Sequence, residues 1–349
     1  MSASTQAAPA PTSPPHAEEK TSWIDTIVRA REVSLIGVLA ILVIAVSIAE
    51  PRFLNAQNLR DILLNVTIVA LLAVGQTIVV ITRNIDLSVG SILGICAFAT
   101  GVLFADHNVP IPVVFVLGTL FGAAFGLMNG VMVAWARVPS LVITLGTLYV
   151  IRGIDFWWAG GRQINAADMP RPFLDLATRT ILGFPVLALF TIVAMVLVGV
   201  VLARSRMGRE LYAIGSNPDA AVLAGIKVSR RVLGAFIASG AIAGLAGVLY
   251  ASRYGTLDAV AGTGIELAAV SAVVVGGVAI FGGSGTVWGA ALGALLLATI
   301  RSALVTLQID PFWNQAIQGA LLLAAIGLDA YLAMRLAREL RKRRSANRV

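Results

Sequence analysis

The sequence predicts an all-α, polytopic integral membrane protein of about ten transmembrane helices, with both termini in the cytoplasm. Three observations carry that expectation. Of the 349 residues, 58% are hydrophobic and only 13% charged, where a soluble domain carries roughly 25% charged residues. The apolar residues gather into ten long stretches, and the basic residues concentrate in one connecting loop and in the C-terminal tail.

The elements follow in chain order. Residues 1–32 read as a disordered cytoplasmic tail, because Met1 to Lys20 holds four prolines and too few large apolar side chains to build a core. The first apolar run, Val33–Ala49, ends in Ser-Ile-Ala, a weak mimic of a cleavage site. The 32 residues before it are too long for an ordinary n-region, so it reads as an uncleaved span. The remaining spans are Ile62–Thr82, Ser88–Ala105, Ile111–Ala136, Leu141–Ala159, Ile181–Ala203, Val232–Ala251, Glu266–Phe281, Val287–Leu307 and Phe312–Met334. Crossing a bilayer as a helix takes about 20 apolar residues. Ser88–Ala105 and Glu266–Phe281 are short and contain glycine, which suits broken or re-entrant segments. Such backbone is tolerated only where protein or a water-filled cavity surrounds it. The transmembrane domain is thus 33–334, followed by a basic cytoplasmic tail, 335–349.

Charge fixes the orientation. The 204–231 loop carries a net +4 and the segment from Arg335 a net +6, whereas the loops on the other side sum to about −1. Lys/Arg bias places both basic segments in the cytoplasm, which requires an even number of spans; eight and ten both fit, and ten fits the lengths better. The overall charge of +8 therefore reflects the membrane and not a nucleic-acid partner.

Glycines recur four apart in the fourth span (Gly118, Gly122, Gly126, Gly130) and in the pairs Gly90/Gly94, Gly240/Gly244 and Gly289/Gly293. Positions four apart share a helix face, so each set forms a flat groove for a close neighbour. Chemistry is sparsely provided. No Gly-Lys dipeptide exists to build a Walker A loop, no GxSxG or HExxH occurs, and two histidines with the single Cys96 make neither a transition-metal cluster nor a disulfide. The chain is therefore not expected to be an enzyme, and any ATP hydrolysis belongs to another polypeptide.

Charges inside spans are costly and mark candidate sites. Arg152 and Asp155, three apart, share a helix face and can neutralise each other. Glu266 starts its span, where it complements the positive helix end. Arg301 and Asp329 lie near span ends and are expected to snorkel to the interface. In NIDLSVGSI (84–92), Asp86 or Ser88 can cap the following helix. A glycine-rich stretch, 262–290, reads as a helix, a tight turn at Gly282–Gly285 and the next helix. Candidate translocation and gating residues are Asp86, Ser88, Ser91, Glu266, Gly276 and Gly277.

The most informative segment is SNPDAAVLAG (216–225) in the basic loop. Asn217 is a helix cap, Pro218 suits the first helical position, and Asp219 complements the dipole. Gly225 supplies the left-handed residue that ends the helix after about two turns. Ala220, Ala221, Val222 and Leu223 would then form a small, partly apolar knob on the cytoplasmic side.

FLNAQNLRDILLN (53–65), ITRNIDLSVGSI (81–92), VPSLVITLGTLYVIRGI (138–154), SRMGRELYAIGSNPDAAVLAGIKVSR (205–230), AGLAGVLYASRYG (243–255) and the glycine-rich 261–294 together resemble the permease subunits of ribose-type sugar ABC importers. The likeness runs from about residue 33 in the family's order, with Ala291 where leucine might stand. SRYGTLDAVAGTGIEL (252–267) and IDPFWNQAIQGALLLAAIGLD (309–329) look most like the rhamnose and autoinducer-2 branches, whereas Gly160 to Thr180 matches no family pattern. The resemblance implies a multi-pass bacterial inner-membrane subunit that pairs with a second permease copy or close homologue. It also implies cytoplasmic ABC ATPase subunits holding ATP and Mg, an extracytoplasmic solute-binding protein, and no cofactor on this chain. It makes Asn217 to Gly225 the coupling helix, in agreement with the capping argument. The alternative reading is an ion-coupled secondary transporter, which builds its site from ionisable residues at the bilayer midplane. Here the charges cluster near span ends instead.

The orientation is directly testable. Cysteines placed at Ser216 and at Ser345 should react with a membrane-impermeant maleimide only after cells are permeabilised; labelling of either in intact cells overturns the topology.

Overall fold

The computed structural model describes residues 23–136, 138–310 and 312–346, and nearly all of them are helical. The helices are α1 (Trp23–Ala49), α2 (Ala56–Ile81), α3 (Val89–Ala105), α4 (Ile111–Ala136), α5 (Ser140–Ala159), α6 (Arg171–Thr178) and α7 (Val186–Arg204). They continue with α8 (Arg206–Ser216), α9 (Pro218–Leu223), α10 (Val228–Tyr254), α11 (Ile265–Val275), α12 (Val287–Thr306) and α13 (Trp313–Ala346). Each of the ten expected spans coincides with a helix. Among the described residues, seven are long and apolar enough to cross a membrane, while α3 and α11 are shorter apolar helices.

Some boundaries differ from the sequence expectation. Helix α1 begins at Trp23, ten residues before the expected first span, while the expected disordered tail up to Ser22 lies outside the described residues. The expected span from Ile181 begins instead in a hairpin. Strands β1 (Thr180–Ile181) and β2 (Phe184–Pro185) pair around Leu182 and Gly183, both at positive φ, and α7 starts only at Val186. Helix α11 ends at Val275, six residues short of Phe281, because the glycines after it turn the chain.

Packing ranks the helices. In its most apolar window 83% of α2 is buried, against 6% of α1, so α2 is the central post and α1 a peripheral one. The closest crossing is that of α4 with α10. Gly122 meets Gly240 and Gly244, and Gly126 meets Gly240 and the Phe236 carbonyl, so the two glycine rows interlock main chain to main chain. The other spaced pairs are used in the same way. Gly289 and Gly293 lie against Gly276 and Ala272 of the α11 end, and Gly90 and Gly94 lie against Ala261, Gly262 and Glu266.

That last contact defines an unusual segment. After α10 ends at Tyr254, residues 255–264 run back into the bundle along α3. Leu257 is fully buried and bridges Ile164, and Gly262 reaches Gly90. The chain re-enters, and α11 starts from inside. Arg152 of α5 holds this loop by donating Nη1 to the carbonyls of Ala259 (3.0 Å) and Ala261 (2.5 Å). Its approach to Asp155 is long, 4.0 Å. The expected mutual neutralisation is therefore the weaker part of its role; Arg152 chiefly replaces the hydrogen bonds that an irregular backbone cannot obtain from lipid.

The glycine interlock has a measurable consequence. Replacing Gly122 or Gly126 by leucine pushes side-chain carbons into the opposing main chain, an overpacking worth about 1–3 kcal/mol or more. Detergent-extracted Gly126→Leu should show a lowered melting temperature and reduced accumulation; normal amount and stability would disprove the packing role.

Candidate functional site

The site is built where α8, α9 and the ends of α2, α10 and α12 meet, at the end of the bundle that carries the basic loop. Ser205 caps α8, its Oγ accepting from Gly208 N at 2.9 Å. The helix is amphipathic, with Leu211 and Ile214 buried and Arg209 outward. Helix α9 follows at once, as the sequence predicts: Asn217 Oδ1 accepts from Ala220 N at 3.0 Å, Pro218 opens the helix, and Gly225 closes it at φ +80°. The exposed residues of α9 differ from the expected knob in one respect. Ala221 is buried, because it faces back onto the protein, whereas Val222 is 60% and Leu223 90% exposed. The apolar tip is therefore Val222 and Leu223, with Ala220 and Asp219 beside it at the surface.

Three fastenings connect this pair of helices to the membrane core. Gly215 packs against the Ile81 carbonyl and Gly283, with no room for a side chain, and Gly283 N donates to Ile81 O at 2.9 Å. Arg83, held at φ +65°, donates Nε to Gly215 O (2.5 Å) and Nη2 to Ser216 O (2.8 Å), which occupies the carbonyls that α8 leaves open at its C-terminus. Tyr212 OH donates to Gly285 O at 2.7 Å. The end of α8 is thus gripped by the α2–α3 turn on one side and the 282–285 glycine turn on the other. A further fastening runs to α10: Glu210 accepts from Arg206 Nε at 2.7 Å and from Arg231 Nε. Those two bonds, Arg231 first, hold the Glu210 carboxyl below its ordinary pKa. Thr286, which caps α12, also reaches Glu32 of α1 at 2.7 Å. Beside Arg83 a cleft of about 500 Å³ is lined by Asn84, Ser140 and Ile280.

The other expected site residues lie deeper. Asp86 and Ser88 are both fully buried, and neither caps α3. Asp86 Oδ1 instead accepts from Ser88 N (3.0 Å) and Ser88 Oγ (2.6 Å), and Asn129 of α4 donates to Ser88 Oγ at 2.7 Å. Ser91 Oγ donates to Leu148 O at 2.9 Å. Glu266 Oε1 accepts from Gly264 N at 3.1 Å, at the start of α11 as expected. Gly276 ends α11 against Gly289, and Gly277 follows at φ +92°. Asp86, Ser88 and Ser91 hold the α2–α3 junction, while Glu266, Gly276 and Gly277 hold the two ends of α11. Arg301 is exposed near the end of α12, and with the Asn314 amide in its hydrogen-bonding orientation its Nε and Nη2 lie 3.3 Å from the Asn314 side-chain oxygen. The Asp329 side chain lies outside the described ones. Arg83, Glu210, Tyr212 and Gly215 were not singled out from the sequence. The signal for α8 was present in SRMGRELYAIG, with a capping serine and apolar residues at helical spacing.

Residues 58–326 match the family described as branched-chain amino acid transport system / permease component. The autoinducer 2 import system permease protein LsrC of Escherichia coli (strain K12 / DH10B) is 38% identical over 317 residues, which cover 90% of this chain and 92% of that protein. The protein of the same name from Salmonella typhi is also 38% identical, over 90% of both chains, and that of Salmonella typhimurium is 39% identical over 85% of both. No solved structure matches the chain. The chain belongs to this permease family, and it is a multi-pass membrane protein.

The Glu210 clamp carries a pH signature. A carboxylate held below its ordinary pKa contributes stability above about pH 4.5, and that contribution disappears as pH falls through its lowered folded value. Melting of the detergent-solubilised protein should therefore drop as pH falls below about 4.5, and the drop should shrink in Glu210→Gln. Parallel acid profiles for the two proteins would remove the clamp from the argument.

Proposed function

We propose that the chain is the membrane-spanning translocation subunit of an ATP-driven, binding-protein-dependent importer, and that its cargo is autoinducer-2 or a chemically similar sugar-like molecule. Membership of a transport-system permease family supports the importer reading over an ion-coupled carrier. The family description names branched-chain amino acids, but relatives 38% identical over 90% of this chain are named for autoinducer 2, which supports the narrower cargo. Hydrolysis takes place on separate ABC subunits that bind ATP and Mg. An extracytoplasmic solute-binding protein delivers the cargo, and a second permease copy or close homologue completes the pore.

The observation that carries the mechanism is the contrast within 206–223. Helix α8 is fastened by main-chain, arginine and tyrosine contacts to three membrane elements, while the next helix presents Val222 and Leu223 to solvent. Two adjacent exposed apolar side chains on a rigidly held short helix suit a groove on a partner. Displacement of that groove on ATP binding would move α9. Gly215 and Ser216 would pass the displacement to the ends of α2 and α12, and Glu210 would pass it to α10. Ala221, on the buried face of α9, keeps the helix seated.

Leu223→Asp and Val222→Asp should each cut ATP-dependent uptake more than tenfold and weaken co-purification of the ATPase, with the permease still present in the membrane. Asn217→Ala should be milder, at about 1 kcal/mol of local helix stability. Wild-type uptake and ATPase association in Leu223→Asp would mean that power enters elsewhere.

A further inference from the structure

At the end of the bundle opposite α8 and α9, a cavity of about 560 Å³ opens between α2, α10, α12, α13 and the re-entrant loop. Its lining is not the apolar surface that such helices present by default. Arg301, five residues from the end of α12, faces it, as do Asn65, Asn314 and Gln318. Tyr250 and Tyr254 line it with their rings 4.3 Å apart, and the peptides of Gly262 to Gly264 form its floor.

The polar groups are arranged with an excess of donors. Asn65 spends its side-chain oxygen on Arg253 Nη2 at 2.9 Å, and Asn314, in its hydrogen-bonding orientation, spends its own on Arg301, with Gln318 Nε2 joining at 3.1 Å. Each amide is thereby fixed in orientation, and its NH2 remains as a donor. The Arg253 guanidinium also lies 5.5 Å from the centre of the Tyr254 ring, which steadies that ring. Neither arginine is in ion-pair contact with an acid among the described residues. A charge in a membrane span is costly unless it is paired or faces water or a ligand. Among the described residues the neutral amide of Asn314 is the side-chain partner of Arg301, so this exposed arginine keeps its positive field at the opening of the cavity. Amide and guanidinium donors beside a pair of aromatic rings match a ring-shaped molecule with hydroxyl groups at its edge and C–H groups on its face. A cation would be repelled.

Resting on the importer reading above, we propose that this cavity is a transit subsite for a small polyhydroxylated molecule, neutral or anionic. Arg301, Asn65 and Asn314 engage its oxygens, and Tyr250 and Tyr254 stack on its apolar face. The site lies at the mouth of the bundle away from the ATPase, so it receives cargo before the cytoplasmic end opens.

The test uses the complete importer in proteoliposomes, with autoinducer-2 and D-ribose as probes. Arg301→Gln and Asn65→Leu should lower uptake at least fivefold or raise its KM, while ATPase stimulation by the binding protein stays at the wild-type level. Unchanged uptake and KM in both variants overturns the subsite. Failure of the wild type to import either probe overturns the importer reading itself, and the subsite with it. A second measurement covers the case in which those variants fold poorly. In Val260→Cys, an anionic methanethiosulfonate should modify the cavity thiol several-fold faster than its trimethylammonium counterpart, and saturating probe should protect the thiol. Cys96 is buried and should stay silent. Equal rates for the two reagents, without protection, refute the proposal.

Discussion

Inside a bilayer a backbone N–H or C=O that leaves a helix finds no water, and the whole architecture answers that constraint. Two of the places where the described chain leaves its helices within the bundle, 82–88 and 255–264, are supplied by side chains of neighbouring helices. At the first, Ser140 Oγ accepts from Ile85 N at 3.1 Å, while Thr144 Oγ1 accepts from Leu87 N and donates to Ile85 O at the same distance. The Gln76 amide, in its hydrogen-bonding orientation, serves both the N–H and the carbonyl of Asp86, at 3.0 and 3.2 Å. At the second, Arg152 takes the carbonyls of Ala259 and Ala261. Helix α5 thus donates or accepts at both breaks, through residues spaced along one face. The glycine rows serve the same end, because polar side chains reach these breaks only if α3, α4, α5 and α10 lie close together.

With the breaks secured, the two ends of the molecule become mechanically linked. Helix α11 has only eleven residues, about 16 Å of rod. One end abuts the loop that floors the polar cavity, and the other leads into the glycine turn that grips α8. Helix α2 does the same on a longer scale, since Asn65 lines the cavity and the Ile81 carbonyl anchors Gly283. A shift of α8 therefore cannot stay local. It must either break the Gly215 contact, where no side chain fits, or carry α2 and the 276–286 turn with it.

Much of this was legible in the sequence, for physical reasons that can be named. Ten apolar runs gave ten helices because burial in lipid dominates local preference. The spaced glycines of α4 gave a close crossing because four-residue spacing fixes a face. The caps of α9 were legible because Asn217, Pro218 and Gly225 act on their own neighbourhood. What was missed is relational. The burial of Ala221 depends on which side of a six-residue helix meets the protein, and the caps do not encode that. Arg301, exposed near the end of α12, meets Asn314 of the next helix, a contact that nothing in its own neighbourhood encodes. Helix α8 is harder to read because four of its first five residues are charged or glycine, although Ser205 and the Leu211–Ile214 face mark it.

The buried acids complete the mechanical picture. Ion-coupled carriage needs acids that share a path and exchange a proton or cation between two accessible states. Here Asp86 uses Oδ1 on Ser88 at the α2–α3 break, Glu266 uses Oε1 on Gly264 at the re-entrant start of α11, and Asp155 lies 4.0 Å from Arg152, which itself holds the re-entrant loop. Asp86 and Glu266 sit at or beside a place where the backbone leaves regular structure, and Asp155 lies within α5, so the three are on separate elements. That distribution suits posts that hold a deformable scaffold in register. It suits the importer reading proposed above, in which energy would arrive from outside through a surface helix and move those posts relative to one another.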